Sequence, residues 1–310
     1  MTNILAGLTA GGWPFLVGWV FPSAIFVSLG AFFLFPSLAN FALAKDILSL
    51  STSQRIVIVA FVSIGLGVLL SAAQTPLYTL LEGYYWPRRL QNRRIRKYLA
   101  EKHGLKERAD RTNGIEQGLL YERYNRFPQD DDQVAPSRLA NRLRTLETYG
   151  ASRFGLDSQI LWSEVSALAP EALRTDHDRA RATVDFFVSM IYLSVVFGLL
   201  SLTTAWQTTQ GNRLALAIVG LIALLATLPW YKLAIRSTDY WASTVQALVN
   251  IGRKGLASAL DLQLPKTLDD EREMWTAVSQ IVYYGYRTDL AKQLDRFRAH
   301  DPKNEENKPD

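Results

Sequence analysis

The feature of this sequence that most restricts its fold is a set of four long apolar runs. Residues 1–44 contain no charged side chain, and three further runs cover residues 56–81, 184–206 and 214–235. A helix of about 20 apolar residues crosses the hydrocarbon core of a bilayer. The mean hydropathy of the whole chain is only +0.01 because polar segments separate the runs. The sequence therefore predicts an all-α polytopic membrane protein with four transmembrane helices and a helical cytosolic domain.

The alternation of apolar and polar segments predicts five parts. These are a first transmembrane hairpin at residues 1–83, with spans at about 22–43 and 56–81; a cytosolic helical region at 84–183; a second transmembrane hairpin at 184–235; cytosolic carboxy-terminal helices at 236–299; and a disordered tail at 300–310. Gly211 and Asn212 suit the short link between the two helices of the second hairpin.

Prolines interrupt the first apolar region at Pro14, Pro22 and Pro36. Proline removes a backbone hydrogen bond and kinks a membrane helix. Two alternatives follow for this region. Either a short interfacial or re-entrant segment at about residues 5–20 precedes the first span, or the whole region is one kinked span.

Two helix predictions concern the polar parts of the chain. From Glu171 no helix breaker occurs until beyond Ser194, so one helix is predicted to run from the cytosol into the third span. Thr267 and Asp270 have the spacing of a capping box, which predicts the start of a carboxy-terminal helix.

A border of aromatic and basic residues follows the second span. Tyr84, Tyr85 and Trp86 precede ten basic and three acidic residues between Arg88 and Arg111. Aromatic rings favour the membrane interface, and clustered Arg and Lys beside a span are retained in the cytoplasm. A similar border closes the fourth span at residues 229–236. Both borders predict a bacterial inner-membrane protein whose amino and carboxy termini are cytoplasmic.

The basic character of the chain is local, because residues 88–111 carry a net charge of +7 while the remainder sums to −2. Anionic lipid headgroups are the favoured partner of such a segment. The alternatives are a nucleotide or nucleic-acid ligand, and acidic segments of another copy in an oligomer. The candidate phosphate- or headgroup-binding residues are Arg88, Arg89, Arg93, Arg94, Arg96, Lys97, Arg138 and Arg142.

Small residues recur within the spans. Ser63, Gly67 and Ser71 lie four residues apart in the second span, and Ser194 and Ser201 lie in the third. Such residues let membrane helices approach closely. Helix packing is therefore the favoured interpretation, and a pore-lining face is the alternative.

The sequence lacks the patterns expected of an enzyme. It has no cysteine, and neither a P-loop, a dinucleotide-binding fingerprint nor a zinc-protease motif occurs. The neighbours Asp176, His177 and Asp178 point about 100° apart on a helix and cannot bind one metal ion together. Asp130–Asp132 is favoured as an exposed acidic loop over a cation site. We predict no enzymatic activity, no cofactor and no metal.

Charge within the spans is equally scarce. The spans carry no buried ionisable residue except Asp185, at the inner edge of the third span. Pumps and secondary transporters depend on intramembrane charges or broken helices. The pattern therefore argues against active transport.

Residues 127–275 contain several short motifs, namely Phe127-Pro128, Pro136-Ser137-Arg138-Leu139-Ala140-Asn141, Arg153-Phe154-Gly155-Leu156-Asp157 and Glu273-Met274-Trp275. With these motifs the chain resembles an uncharacterised family of bacterial four-span inner-membrane proteins. The resemblance implies no particular chemistry. The layout is also similar to that of membrane effectors of antiphage defence systems, whose cytosolic part senses a signal and whose spans permeabilise the inner membrane.

Together these observations predict a homo-oligomeric inner-membrane channel or membrane-permeabilising effector that is gated by its cytosolic helical domain. One alternative is a non-conducting membrane scaffold that recruits a soluble protein partner. The other is a sensor of nucleotide or nucleic acid that uses an arginine-rich cytosolic surface.

Overall fold

The computed structural model describes residues 12–38, 46–47, 49–208 and 212–298, and these form helices, turns and short connections. No strand occurs in these ranges apart from one isolated bridge between Leu262 and Arg298. The all-α prediction is confirmed. The helices are α1 (Trp13–Ser37), α2 (Thr52–Ala72), α3 (Gln74–Glu82), α4 (Arg88–Arg111), α5 (Ile115–Tyr124), α6 (Arg138–Glu147), α7 (Tyr149–Phe154), α8 (Trp162–Leu168), α9 (Glu171–Gln207), α10 (Arg213–Ala259), α11 (Leu268–Tyr284) and α12 (Thr288–Asp295).

Four of these helices, α1, α2, α9 and α10, are long and apolar enough to cross a membrane. This confirms the prediction of four candidate membrane helices. Parts of the predicted boundaries lie outside the described residues, namely residues 5–11, 39–43, Gly211 and the tail at 300–310.

The amino-terminal part of α1 contains a π-helical turn, Leu16–Val20. Pro22 follows this turn and has no N–H to donate to the carbonyl of Gly18, four residues earlier. The Ser189 hydroxyl of α9 donates to that carbonyl at 2.8 Å instead. Residues 13–33 are helical throughout. The hydroxyl of Ser189 satisfies the Gly18 carbonyl, which Pro22 leaves without a backbone donor.

The chain divides into two compact units. The first, here called the membrane unit, comprises residues 1–91, 137–139 and 178–241, and the second, here called the helical unit, comprises residues 92–136, 140–177 and 242–310. The helices α4, α9 and α10 continue from one unit into the other without a break.

In the membrane unit α9 is the most enclosed apolar helix. Half of its most apolar stretch is buried, whereas the buried share of the corresponding stretch is 22% in α1 and 11% in α2 and in α10. Gly18 of α1 and Gly220 of α10 approach α9 on different faces, next to Asp185 and Gly198 respectively. A glycine at each crossing lets the helix backbones come close together.

The outer surfaces of α2 and α10 are apolar and exposed. They carry Ile56, Phe61, Val68 and Leu69 on α2, and Leu214, Leu221, Ile222, Leu225 and Leu228 on α10. A soluble protein rarely exposes so many large apolar side chains along one helix and residues 214–228 of another. This exposure suits helices that contact lipid.

The core of the helical unit is built around α11. Met274 and Trp275 of this helix are fully buried, as are Leu156, Val165 and Leu248 from other parts of the unit. Thr267 caps α11, because its hydroxyl accepts a hydrogen bond from the backbone N–H of Asp270, as the sequence predicts.

The short helix α7 ends against α11 at Gly155, which has a left-handed φ of +76°. A Cβ atom at Gly155 would lie 2.4 Å from the backbone oxygen of Arg272. Glycine is thus required at this position both for the backbone conformation and for the close approach of the two helices.

Candidate functional site

The membrane unit contains a buried carboxylate, Asp185, which is 6% exposed. The Tyr78 hydroxyl donates to its Oδ1 at 2.7 Å, and Nε2 of Gln74 donates to the same oxygen at 3.4 Å. Nε of Arg181, one turn earlier on α9, lies 4.0 Å from Oδ2. The closest partners of the carboxylate are therefore neutral donors from a different helix.

The local sequence explains why these side chains meet. The helix is interrupted at Ala73, which ends α2 and precedes α3 at Gln74. Gln74 and Tyr78 are four residues apart and share one face of α3. The helix ends at Gly83, whose left-handed backbone terminates it.

Further contacts lie on the same side of α9. The Tyr192 hydroxyl donates to the Leu77 carbonyl of α3 at 2.6 Å, and Ser189 bonds to Gly18 of α1. Asp185, Ser189 and Tyr192 recur at helical spacing and lie on one face of α9. Through this face α9 is hydrogen-bonded to both α1 and α3.

Ionisable residues inside membrane segments are costly and usually functional. The Asp185 cluster, defined as Gln74, Tyr78, Arg181 and Asp185, combines such a residue with a set of interhelical hydrogen bonds. These hydrogen bonds connect α9 to α3.

The sequence singles out Asp185 but not its partners. Gln74 and Tyr78 fall within the predicted second span at 56–81, whereas the structure ends α2 at Ala72 and begins a separate helix at Gln74. The available signal was the pair of hydrogen-bonding side chains at i and i+4 near the end of an apolar run.

The basic residues predicted to bind phosphate or headgroups lie on two helices, α4 and α6. On α4, Arg88, Arg89, Arg93, Arg96 and Lys97 are exposed, whereas Arg94 is half-buried with its guanidinium 5.8 Å from the centre of the Tyr98 ring. On α6, Arg138 is exposed and Arg142 is half-buried.

The row of small residues in α2 is placed against α1. Ser63 is buried and its hydroxyl donates to the Val59 carbonyl at 2.6 Å. A Cβ atom at Gly67 would lie 3.0–3.2 Å from atoms of Val20. Ser71 is half-buried.

Ser194 and Ser201 of α9 are buried within the chain. They share a face with Gly198, which meets Gly220 of α10, and the Cβ of Ser201 lies 3.1 Å from the Cβ position of Gly220. This face of α9 packs against α10 of the same chain.

The acidic loop after α5 forms an ion pair with a lysine of the same unit. Nζ of the buried Lys102 lies 2.7 Å from Oδ1 of Asp131 and 2.7 Å from the Gln129 carbonyl, and Nε2 of His103 lies 2.7 Å from the other carboxylate oxygen. The pKa of Asp131 is lowered. The hydrogen bond from Lys102 is the largest cause and the hydrogen bond from His103 is the second.

The central residue of the triplet Asp176-His177-Asp178 lies in the interior beside an aromatic ring. His177 is buried, and its ring centre lies 5.0 Å from that of Trp162. Within the ranges that the structure describes, no group of three or more His, Asp or Glu side chains is arranged to hold a metal ion.

Neither a family model, nor a curated protein, nor a solved structure matches this chain.

Proposed function

We propose that the protein is a homo-oligomeric channel or membrane-permeabilising effector of a bacterial inner membrane, gated by its helical unit. The observation that carries this proposal is the continuity of α9. Its first residues belong to the helical unit, and its apolar remainder is the most enclosed helix of the membrane unit.

A continuous helix transmits movement without a linker. α9 has 37 residues, which corresponds to a length of about 55 Å at 1.5 Å per residue. A ligand or partner that displaces residues 171–177 also shifts the residues that contact α1, α3 and α10. Helix shifts of this kind are an established form of switching transition.

The Asp185 cluster supplies a position at which such movement is resisted. Asp185 and Tyr192 attach α9 to α3 through hydrogen bonds at points seven residues apart on α9. In the proposed mechanism these bonds hold the closed state, and movement of α9 breaks them.

The pore is proposed to form between copies of the chain. Ser194 and Ser201 are buried against α10, whereas the apolar faces of α2 and α10 are exposed and available to lipid or to a second copy. The positions of the basic borders support cytoplasmic amino and carboxy termini, with anionic lipids around the beginning of α4.

The test is single-channel recording from the full-length protein after its oligomeric state in detergent has been measured by light scattering. The proposal expects a closed oligomer and discrete conductance steps in planar bilayers. Purely monomeric protein, or silent bilayers both at rest and with the phosphate-bearing compounds named below, would overturn it.

An exposed aromatic patch favours the scaffold as a second candidate function. Val282, Tyr283, Tyr284 and Tyr286 at the end of α11 are between 50% and 77% exposed. Tyrosine is enriched in protein interfaces. Under this alternative, overexpression leaves the membrane potential intact, and a soluble protein is recovered with the chain at a fixed ratio that falls in Tyr284→Ser/Tyr286→Ser.

A further inference from the structure

A groove in the helical unit has a polar lining of two guanidinium groups and one carboxamide. It has a volume of about 420 Å³ and is lined by Arg153, Phe154, Asn250, Arg253 and Leu268. No carboxylate is among these lining side chains. The two guanidinium groups and one amide come from α7 and α10.

The amide of Asn250 is oriented by a neighbour. The Tyr149 hydroxyl donates to Oδ1 of Asn250 at 3.1 Å. This contact occupies one of the two lone pairs of the amide oxygen, and the NH₂ group donates to no residue that the structure describes, so it remains for a ligand.

Arg253 is held in place from two sides. One of its amino groups donates to the buried carboxylate of Glu271, and its guanidinium lies 4.2 Å from the centre of the Phe154 ring. Trp275 Nε1 donates to the same oxygen of Glu271 at 3.2 Å. Arg253 is therefore preorganised, although Glu271 compensates much of its charge.

Arg153 supplies the uncompensated charge. Its side chain is exposed and makes no ion pair with any residue that the structure describes. Its backbone is fixed, because α7 ends one residue later and because the Arg153 carbonyl accepts a hydrogen bond from Arg272 at 3.0 Å. The residue therefore presents a free guanidinium from a rigid position.

We propose that this groove binds a phosphate group. Planar guanidinium donors match phosphate oxygens in geometry and charge, and the volume lies within the range of small-ligand sites. The phosphate belongs either to a soluble nucleotide or to an anionic lipid headgroup. The site uses none of the basic residues of α4.

Asn250 and Arg253 lie on α10, which continues into the membrane unit. A role of the groove in triggering gating rests on the proposed channel function. Binding itself does not depend on conductance. A protein that binds phosphate compounds but never conducts would retain this site and lose only the proposed function.

The test is calorimetric titration of the full-length protein in a neutral detergent with AMP, adenosine and short-chain phosphatidylglycerol. Arg153→Gln removes the free charge, and Asn250→Asp retains the Tyr149 contact while placing a negative charge in the groove. Each variant is expected to weaken binding by about tenfold or more. Arg123→Gln changes an exposed arginine elsewhere in the helical unit and should leave affinity unchanged.

Binding of AMP but not adenosine, lost in both groove variants, assigns the site to a soluble phosphate ester. Binding of phosphatidylglycerol alone, with the same loss in both variants, assigns it to a lipid headgroup. The proposal is overturned if no compound binds at millimolar concentration, or if Arg153→Gln and Arg123→Gln have equal affinity. Thermal unfolding of each variant establishes that it is folded.

Discussion

Tyr78 is the closest donor to the buried carboxylate of Asp185, at 2.7 Å. Tyr78→Phe keeps the ring but removes this hydrogen bond. We expect the free energy of unfolding to fall by about 1–2 kcal/mol. The measurement is thermal or denaturant unfolding in detergent micelles.

Tyr85→Phe is the matched control for Tyr78→Phe, because Tyr85 is 66% exposed. Its unfolding should match that of the unaltered protein. Equal stability of the two variants would contradict the structural role of the Tyr78–Asp185 contact.

Asp131 gives a pH-dependent prediction within the helical unit. Lys102 and His103 lower its pKa, so folding favours the ionised carboxylate. Its contribution to stability is present above the ordinary pKa of about 3.9 and is lost as the pH falls through the lowered pKa. Because Asp131 is 52% exposed, the contribution is at most about 1 kcal/mol.

The measurement for Asp131 is thermal unfolding between about pH 2 and pH 6. The unaltered protein should exceed Asp131→Asn in stability at the upper end of this range and converge with it at the lower end. Asp132→Asn, which changes the exposed neighbour, should follow the unaltered protein throughout. A constant difference between Asp131→Asn and the unaltered protein would refute the assignment.

At the scale of the elements, the crossing of α1 and α2 depends on Gly67. A Cβ atom there would lie 3.1 Å from the Val20 Cα and 3.2 Å from its backbone nitrogen. Backbone atoms cannot move aside as a flexible side chain can, so Gly67→Ala must separate the helices. We expect a loss of about 1–3 kcal/mol in unfolding free energy.

Gly65→Ala is the matched control for the helix crossing. Gly65 lies two residues away on the same helix, and no atom of another described element lies within 4 Å of its Cβ position. Alanine there should be neutral or slightly stabilising. Comparison of the two variants by unfolding in micelles separates the packing effect from helix propensity.

At the scale of the whole molecule, the proposed gating depends on an unbroken α9. Asp178 is exposed and is the first residue of α9 that belongs to the membrane unit. Asp178→Pro disrupts the helix there at a cost of about 3 kcal/mol. We expect the open probability in planar bilayers to change by about tenfold or more.

Two controls accompany Asp178→Pro. Asp178→Ala removes the side chain and its contacts but keeps the helix, and Ala172→Pro places proline in the first turn of α9, where it is tolerated. Ala172→Pro should conduct as the unaltered protein does, and Asp178→Ala should change the open probability less than Asp178→Pro. If Asp178→Pro is folded by circular dichroism and conducts normally, α9 does not couple the two units.

The four apolar helices, the all-α class and several local features can be predicted from the amino-acid sequence. Length and polarity suffice for a membrane helix because the bilayer imposes one requirement on every backbone group. Likewise, the Thr267 cap and the continuity of the helix from Glu171 follow from side chains and breakers that are local in the sequence.

The contacts between distant polar residues became visible in the folded structure alone. Gln74 and Tyr78 are more than 100 residues from Asp185, and Asn250 lies about 100 residues from Tyr149. Such pairs depend on how helices pack, and many side-chain faces of equal polarity compete for them along the chain. The sequence therefore indicates the basic helix α4, whereas the Asp185 cluster and the groove at Arg153 and Asn250 depend on how the helices pack.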